Sequence, residues 1–205
     1  MQPELVLASG SPRRQELLSQ LGLSFRIQTS QADETVEQNL SPATFVEQLA
    51  LKKAKAVARS CQSALVIGAD TVVVLDDEIL GKPGDQTVVK RMLTRLQGRE
   101  HQVYTGIALV QVHDEKVVRE LTDHKRTTVW MRRLTPEKIE WYAGTGEPLD
   151  KAGAYGIQGF GACFVEKIEG CYFNVVGLSI SLLDEMMEKI GFSLVEDFRS
   201  GTKVL

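Results

Sequence analysis

The feature that most constrains the fold is an almost continuous apolar run from Ala64 to Leu75, which contains a single carboxylate at Asp70. Strands that are covered on both faces carry such runs of Val, Ile and Ala, whereas half-exposed strands alternate. The run therefore predicts a central, buried strand. A carboxylate within it is costly unless it is paired or bound to a cation, which makes Asp70 a functional candidate. The alternative is an aspartate near a strand end that caps a neighbouring turn.

Strands and helices alternate early in the chain, and a long hairpin joined around Asp114-Glu115 follows in the middle. This order predicts an α/β protein with a mixed twisted sheet and flanking helices. Residues 1–205 are expected to form one domain with two lobes. The other predicted strands are Glu4–Ala8, Ser24–Gln28, His101–His113, Lys116–Arg132 and Ala162–Ile168, and the predicted helices are 12–21, 42–60, Asp85–Leu96, 136–142 and Gly177–Ile190.

Composition narrows the class of protein. The net charge of −3 argues against a nucleic-acid partner, which normally needs a basic face, but it allows a small polyanionic ligand. No stretch approaches 18 apolar residues, and the segment 1–14 lacks the pattern of a signal peptide, so no membrane partner is expected. The three cysteines form no CxxC pair, which favours a reducing, cytoplasmic compartment.

A turn of small residues at the predicted start of the first helix precedes two arginines, Arg13 and Arg14. Backbone N–H groups at a helix N-terminus, together with hydroxyls such as those of Ser9 and Ser11, favour an anion. Arginine guanidinium groups add forked positive charge. The pattern predicts a phosphate-binding turn, although a capped helix with surface arginines is a common alternative.

Lysines are the next candidates for binding a phosphorylated ligand. Lys82 lies in a turn shortly after the central strand, and Lys53 and Lys55 lie on the second predicted helix. A cation near Asp70 suits phosphate chemistry. Each lysine alone is equally well explained as part of a solvated surface.

Carboxylates other than Asp70 occur together at Asp33 and Glu34, in the loop after the second strand. With Asp70 they would offer the hard oxygen ligands that Mg²⁺ prefers. Adjacent acidic residues in a polar loop are usually only solvated. The three histidines lack metal-ligand spacing, and no Walker A loop, GxGxxG turn or GxSxG elbow is present.

The segment Gly144–Gly161 contains six glycines and is predicted as a loop. A glycine-rich stretch of this length inside a compact domain is more often a binding loop than a simple connection. Asp150, Lys151 and Gln158 are its polar candidates for contacting a ligand.

Taken together and in chain order, these segments resemble the Maf family of nucleotide pyrophosphatases. They span nearly the whole chain, which makes the resemblance more specific than any one motif. Lys151 and Gln158 are similar to the dTTP/UTP branch rather than the 7-methyl-GTP branch, whereas Ser179 departs from the proline usual after Gly-Leu. The segments are Ser9-x-Ser-Pro-Arg-Arg14, Gly68-Ala-Asp-Thr-Val-Val73, Gly81-Lys-Pro83, Val103-Tyr-Thr-Gly106 and Glu147-Pro-Leu-Asp-Lys-Ala-Gly-Ala-Tyr-Gly-Ile-Gln-Gly159.

The resemblance implies two lobes around a central cleft, as in the inosine triphosphatase class. It also implies cleavage of pyrimidine triphosphates between the α and β phosphates, with Mg²⁺ or Mn²⁺ as the cofactor. Asp70 matches the proton acceptor and a metal position, and Glu34 matches the other metal position. The remaining matches are the specificity positions Arg13, Thr71 and Gln158, and the phosphate-binding positions Ser9, Ser11, Arg14, Lys82 and either Lys53 or Lys55.

Two other functions stay open on the sequence. The first is a pyrophosphatase for modified purine triphosphates, and the second is a nucleotide-binding regulator of septum formation without significant turnover. Measured pyrophosphate release would exclude the regulator, because a sensor has no need of a water-activating carboxylate. The sequence also leaves open whether the chain forms a homodimer.

Overall fold

The computed structural model describes residues 3–33, 35 and 40–198. No helix in this part of the chain has the length and apolar character needed to cross a bilayer. The strands are β1 (Glu4–Leu7), β2 (Arg26–Ile27), β3 (Ala64–Leu75), β4 (Glu78–Leu80), β5 (Glu100–His113), β6 (Lys116–Met131) and β7 (Val165–Glu169). The helices are α1 (Pro12–Gln20), α2 (Pro42–Ala58), α3 (Gln86–Leu96), α4 (Pro136–Gly144), α5 (Tyr172–Val176), α6 (Ile180–Lys189) and α7 (Leu194–Phe198).

The described strands form one sheet in the order β2-β1-β3-β5-β6-β7, with β4 paired to β3. β1 is parallel to both β2 and β3, whereas β4 is antiparallel to β3 and β7 is antiparallel to β6. The sheet is therefore mixed, and the predicted α/β fold class is confirmed.

The central strand β3 has the predicted bounds, and all its residues except Thr71 are buried. Asp76 and Asp77 turn the chain into β4 with positive φ angles of 52° and 61°, and Asp114 and Glu115 join β5 to β6 with φ angles of 48° and 62°. Two consecutive left-handed residues form the tight hairpin turn whose twist suits antiparallel strands, and aspartate tolerates this backbone better than most residues. The predicted turn around Asp114-Glu115 is confirmed.

The described chain divides into two compact units. The first consists of the residues up to Asp70, those from Thr105 to Lys125 and those from Gly177 onward. The second consists of Thr71–Tyr104 and Arg126–Val176. Each unit has an apolar cluster of its own, which α2 covers in the first unit and α3 and α4 line in the second.

Helix α2 packs very closely on the sheet of the first unit. A Cβ atom at Gly68 would lie 2.1 Å from the carbonyl oxygen of Ala50, and one at Gly106 would lie 2.4 Å from the backbone of Val46. Such distances are far inside van der Waals contact, so only glycine permits this approach. The close packing brings the polar side chains of α2 within reach of β3.

The segment 144–161, which was predicted as a loop, contains short helical turns. Three 3₁₀ segments occupy much of the region, namely Glu147–Asp150, Ala152–Ala154 and Gly159–Phe164. Gly153, inside the second segment, and Gly159, at the start of the third, have positive φ angles. Ala154, Tyr155 and Phe164 are buried in the core of the second unit. β7 consequently begins at Val165 rather than Ala162.

The C-terminal helix is also shorter than predicted. α6 begins at Ile180 rather than Gly177, because Gly177 has a φ of 131° and the buried Ser179 has extended backbone. The sequence did not predict α5 or α7. Each has only five residues, which is too few for a helical hydrophobic period to be recognised.

Candidate active site

Asp70 is the last residue of the first unit before the chain passes into the second, and it is 9% exposed. Its Oδ1 atom accepts a hydrogen bond from Nζ of Lys53 at 2.6 Å. Both side chains are largely buried, with exposed fractions of 13% for Asp70 and 15% for Lys53. The ammonium group compensates for the loss of carboxylate hydration, and the charge-assisted hydrogen bond fixes the carboxylate.

The structure distinguishes between the two helical lysines. Nζ of Lys55 lies 2.8 Å from Oε2 of Glu120 on β6, where both side chains are more exposed than the Lys53–Asp70 pair. Residues two positions apart on a helix point about 200° away from each other, so Lys53 and Lys55 cannot face the same group. Lys53 is therefore the lysine that approaches Asp70.

The turn at the start of α1 is held by the side chain of Arg14. Its Nη1 atom donates to Oγ of Ser9 at 3.2 Å, and its Nε atom donates to the carbonyl of Gly177 at 2.8 Å. Oγ of Ser9 also accepts from the backbone N–H of Ser11 at 3.2 Å. Ser11 is the N-cap of α1 but makes no capping hydrogen bond through its side chain, and Pro12 follows it. The positive end of the α1 dipole lies at this turn and favours an anion there.

Arg13 and Arg14 are adjacent on the first turn of α1, and both are half-buried. Arg14 donates hydrogen bonds to Ser9 and to the carbonyl of Gly177. These contacts give Arg14 a role in shaping the turn.

The second unit contains Thr71, Lys82 and Gln158. Thr71 is the only residue of β3 that is not buried, Lys82 is exposed, and Gln158 is half-buried at the start of the last 3₁₀ segment. The backbone N–H of Gly153 donates to the carbonyl of Gly81 at 3.1 Å. This bond ties the glycine-rich segment to the turn that carries Lys82.

Glu34 lies outside the described residues, so its predicted role as a metal ligand stays a prediction. Its neighbour Asp33 is exposed and accepts hydrogen bonds from the hydroxyl and the backbone N–H of Thr35. These two bonds hold the pKa of the Asp33 carboxyl below its usual value.

Sequence reasoning missed a group of three side chains in the first unit. Glu47 on α2 and Asp123 and His124 on β6 place one potential ligand atom each within 4.8 Å of the others. Nδ1 of His124 lies 2.6 Å from Oε1 of Glu47, and Nζ of Lys189 lies 3.8 Å from Oδ2 of Asp123. The group escaped notice because Glu47 is 77 residues away from His124 in the chain.

A buried pair in the second unit was missed for the same reason. Nε2 of His101 lies 2.6 Å from the hydroxyl of Tyr155, and the two rings meet edge to face. Burial lowers the pKa of His101 to about 4, because the interior disfavours the charged imidazolium. His101 is therefore neutral at physiological pH.

These observations define an α/β protein with a mixed sheet, an almost buried ammonium–carboxylate pair and a helix start suited to an anion. A profile of the family described as Maf-like protein matches residues 4–190. A dTTP/UTP pyrophosphatase of Moorella thermoacetica is 55% identical over 92% of this chain and 95% of its own length. A dTTP/UTP pyrophosphatase of Pelotomaculum thermopropionicum is 50% identical over 94% of this chain and 99% of its own length. The chain belongs to the Maf family.

A solved structure of the Staphylococcus aureus Ham1 protein is also similar. It is 16% identical, the match covers 77% of each chain, and the TM-score is 0.48.

Proposed function

We propose that this chain hydrolyses pyrimidine nucleoside triphosphates, dTTP and UTP above all, to the nucleoside monophosphate and pyrophosphate. The observation that carries the proposal is Asp70, an almost buried carboxylate whose Oδ1 lies 2.6 Å from the ammonium of Lys53. Support comes from relatives called dTTP/UTP pyrophosphatase that are 55% and 50% identical over more than nine tenths of the chain.

In this reaction Asp70 accepts a proton from water as the water oxygen forms a bond to the α phosphorus. The bond from the α phosphorus to the bridging oxygen breaks, and pyrophosphate leaves with that oxygen. A positioned general base contributes typically 10²–10⁴-fold. Lys53 holds the Asp70 carboxylate in one orientation while its positive charge favours the anionic substrate nearby.

The triphosphate needs cations and N–H groups around it, since phosphoryl displacement depends on positioning and on neutralised charge. The N-terminus of α1 supplies N–H groups, with Ser9, Ser11 and Arg14 shaping the turn and Arg13 adding charge. Lys82 adds a second cation. Of the two lysines predicted on α2, we assign the role to Lys53 alone, because Lys55 is paired with Glu120.

The donor chemistry of Asp70 fits Mg²⁺ or Mn²⁺, because both ions prefer hard carboxylate oxygens, and we propose Glu34 as the accompanying ligand. When bound, such an ion neutralises negative charge on the phosphate oxygens. Activity should disappear in excess chelator and return when Mg²⁺ is added. Full activity in chelator would exclude the ion from the reaction.

Gln158 is proposed to recognise the base, with Arg13 and Thr71 as further determinants of specificity. Uracil and thymine present an N3–H donor beside an O4 acceptor, and a glutamine amide can pair with both. We therefore expect UTP and dTTP to be the best substrates, CTP a weaker one and purines poor ones.

The cysteines are consistent with a cytoplasmic enzyme, which we include in the proposal. Cys61 is buried, Cys163 is exposed and Cys171 is half-buried, and none of the three forms a disulfide. Free thiols persist in reducing compartments.

One experiment tests the reaction and the point of attack together. The protein is incubated with each of a panel of common and modified triphosphates in H₂¹⁸O with Mg²⁺, and the products are analysed by mass. The proposal expects ¹⁸O in the nucleoside monophosphate, unlabelled pyrophosphate and the fastest turnover with UTP and dTTP. Orthophosphate as the product, modified purines as the best substrates, or no turnover would each contradict it.

A further inference from the structure

The Glu147 carboxylate is surrounded by hydrogen-bond donors from its own unit. Oε2 accepts from the backbone N–H of Phe160 at 3.0 Å, and Oε1 accepts from the backbone N–H of Gly161 at 3.1 Å and from the hydroxyl of Tyr142 at 2.9 Å. The first two donors lie 13 and 14 residues further along the chain. The Glu147 side chain therefore closes residues 147–161 into a loop whose two ends are joined by hydrogen bonds, which we call the ring.

The segment is fitted tightly around this carboxylate. Gly159 has a φ of +68°, and a Cβ atom there would lie 2.7 Å from Oε2 of Glu147. Both the backbone angle and the space therefore require glycine at this position. Gln158 is the residue immediately before Gly159, so its backbone position is set by the same contact.

A second set of contacts fixes the other end of the ring. Nζ of Lys151 donates to the backbone carbonyl of Glu147 at 2.5 Å and to Oδ1 of Asp150 at 2.8 Å, and the Lys151 side chain is only 14% exposed. Tyr142 is fully buried, so its hydroxyl cannot move away from Glu147. The ring is thus anchored to the core of the second unit.

Glu147 is ionised in this setting. Burial opposes ionisation, but the N–H groups of Phe160 and Gly161 and the hydroxyl of Tyr142 outweigh it and hold the pKa of the Glu147 carboxyl below its usual value. Burial and the bond to Glu147 raise the pKa of Tyr142, which keeps that hydroxyl a donor.

We propose that Glu147 is a positioning residue for base selection, because its carboxylate holds Gln158 where the Gln158 amide can pair with two atoms of the base at once. This inference rests on the proposed function. Glu147 does not touch the base itself; it acts through the backbone of Gln158, Gly159 and Phe160. Selection of uracil over cytosine should therefore weaken when the ring opens, even though Gln158 is unchanged.

The test uses Glu147→Gln, which keeps the size of the side chain but places an NH₂ group against one of the backbone donors. The ratio of kcat/KM for UTP over CTP should fall about tenfold, within the range of a lost bidentate base contact. KM for UTP should rise more than kcat falls. The matched control is Glu140→Gln, which removes an exposed carboxylate paired with Lys90 and should leave the ratio unchanged.

Tyr142→Phe removes one of the three donors and keeps both backbone bonds, so the ratio should fall only about threefold. Exchange of the Phe160 and Gly161 amide hydrogens should accelerate in Glu147→Gln, which tests the ring without substrate. If Glu147→Gln does not fold, Tyr142→Phe becomes the deciding variant. An unchanged ratio of kcat/KM for UTP over CTP in Tyr142→Phe would then overturn the inference.

A double mutant separates positioning from a general loss of structure. If Glu147 acts through Gln158, adding Glu147→Gln to Gln158→Ala should not lower the UTP/CTP ratio further, because coupled residues are not additive. A further fall in the double mutant, or an unchanged ratio in folded Glu147→Gln, would overturn the inference. A wild-type protein that does not hydrolyse UTP would instead refute the proposed function, and the amide exchange would still test the ring.

Discussion

Asp70 in the first unit is buried and Glu147 in the second is half-buried, and the two carboxylates are stabilised in different ways. Asp70 is paired with the ammonium of Lys53, which is carried on a flexible stem from α2. Glu147 accepts hydrogen bonds from two backbone N–H groups and a buried tyrosine hydroxyl. A lysine side chain can change partners during a reaction, whereas backbone donors cannot move without distorting the chain.

The difference supports the different roles proposed for the two carboxylates. A proton acceptor must lose its charge during turnover, and a mobile ammonium group can accommodate that change. A carboxylate that accepts three neutral hydrogen bonds is suited to holding a backbone in one shape. Substitutions at the first carboxylate should therefore affect turnover, and substitutions around the second should affect selection.

The largest expected effect is at Asp70. Asp70→Asn keeps the shape of the side chain but removes the base, so kcat should fall at least 10²-fold, in the range for loss of a general base. The variant should still fold, as its far-UV circular dichroism spectrum will show, but it should melt at a lower temperature because the Lys53 ammonium loses its charged partner. The control is Asp77→Asn in the exposed turn after β3, where the positive φ suits asparagine and activity should be unchanged. More than a tenth of wild-type activity in Asp70→Asn would remove Asp70 from the chemistry.

The lysine pair on α2 offers the next test. Lys53→Met leaves Asp70 without its ammonium partner, and kcat/KM should fall roughly 30-fold, or about 2 kcal/mol for one lost charge-assisted hydrogen bond. Lys55→Met breaks only a partly exposed pair with Glu120 and should change kcat/KM less than twofold. Equal effects of the two substitutions, measured under the same conditions, would mean that proximity to Asp70 has no catalytic consequence.

The buried, neutral His101 of the second unit predicts that the free energy of unfolding depends on pH. The pKa of His101 is lowered to about 4 in the folded protein, so the unfolded chain binds more protons below pH 6.5. The contribution of His101 to the free energy of unfolding is fully present above pH 6.5 and is lost as the pH falls toward 4. The loss is about 2 kcal/mol between pH 7 and pH 5.

Denaturant unfolding at pH 7 and pH 5 measures this loss. His101→Gln removes the titrating group, so the variant should lose about 2 kcal/mol less than wild type over this interval. His113→Gln changes an exposed histidine and should behave as wild type. Identical losses in wild type and His101→Gln would show that the buried pair with Tyr155 does not control the pH response.

The smallest of these four effects is expected at Gln158. Gln158→Glu leaves only acceptors against O4 of uracil, so the ratio of kcat/KM for UTP over CTP should fall about tenfold while kcat changes little. Gln86→Glu, at the exposed start of α3, is the control and should leave the ratio unchanged. A ratio that does not fall in Gln158→Glu would show that Gln158 does not recognise the base edge.

Local patterns were sufficient for much of the fold. The apolar run gave the bounds of β3, and the join between the two long alternating segments gave the turn at Asp114-Glu115. Serine or threonine followed by proline gave the starts of α1, α2 and α4. These features depend on residues that are close together in the chain, which is why the sequence alone could predict them.

Contacts between distant residues decided the rest. Only the packing of α2 on Gly68 shows that Lys53, and not Lys55, approaches Asp70 across 17 positions of the chain. The 3₁₀ turns of the glycine-rich segment likewise depend on Glu147 meeting Phe160 and Gly161. The sequence by itself predicted which residues are candidates for chemistry and determined where most elements begin, whereas tertiary packing decided which of those residues meet, because a side chain's partner is set by the approach of elements that no local pattern encodes.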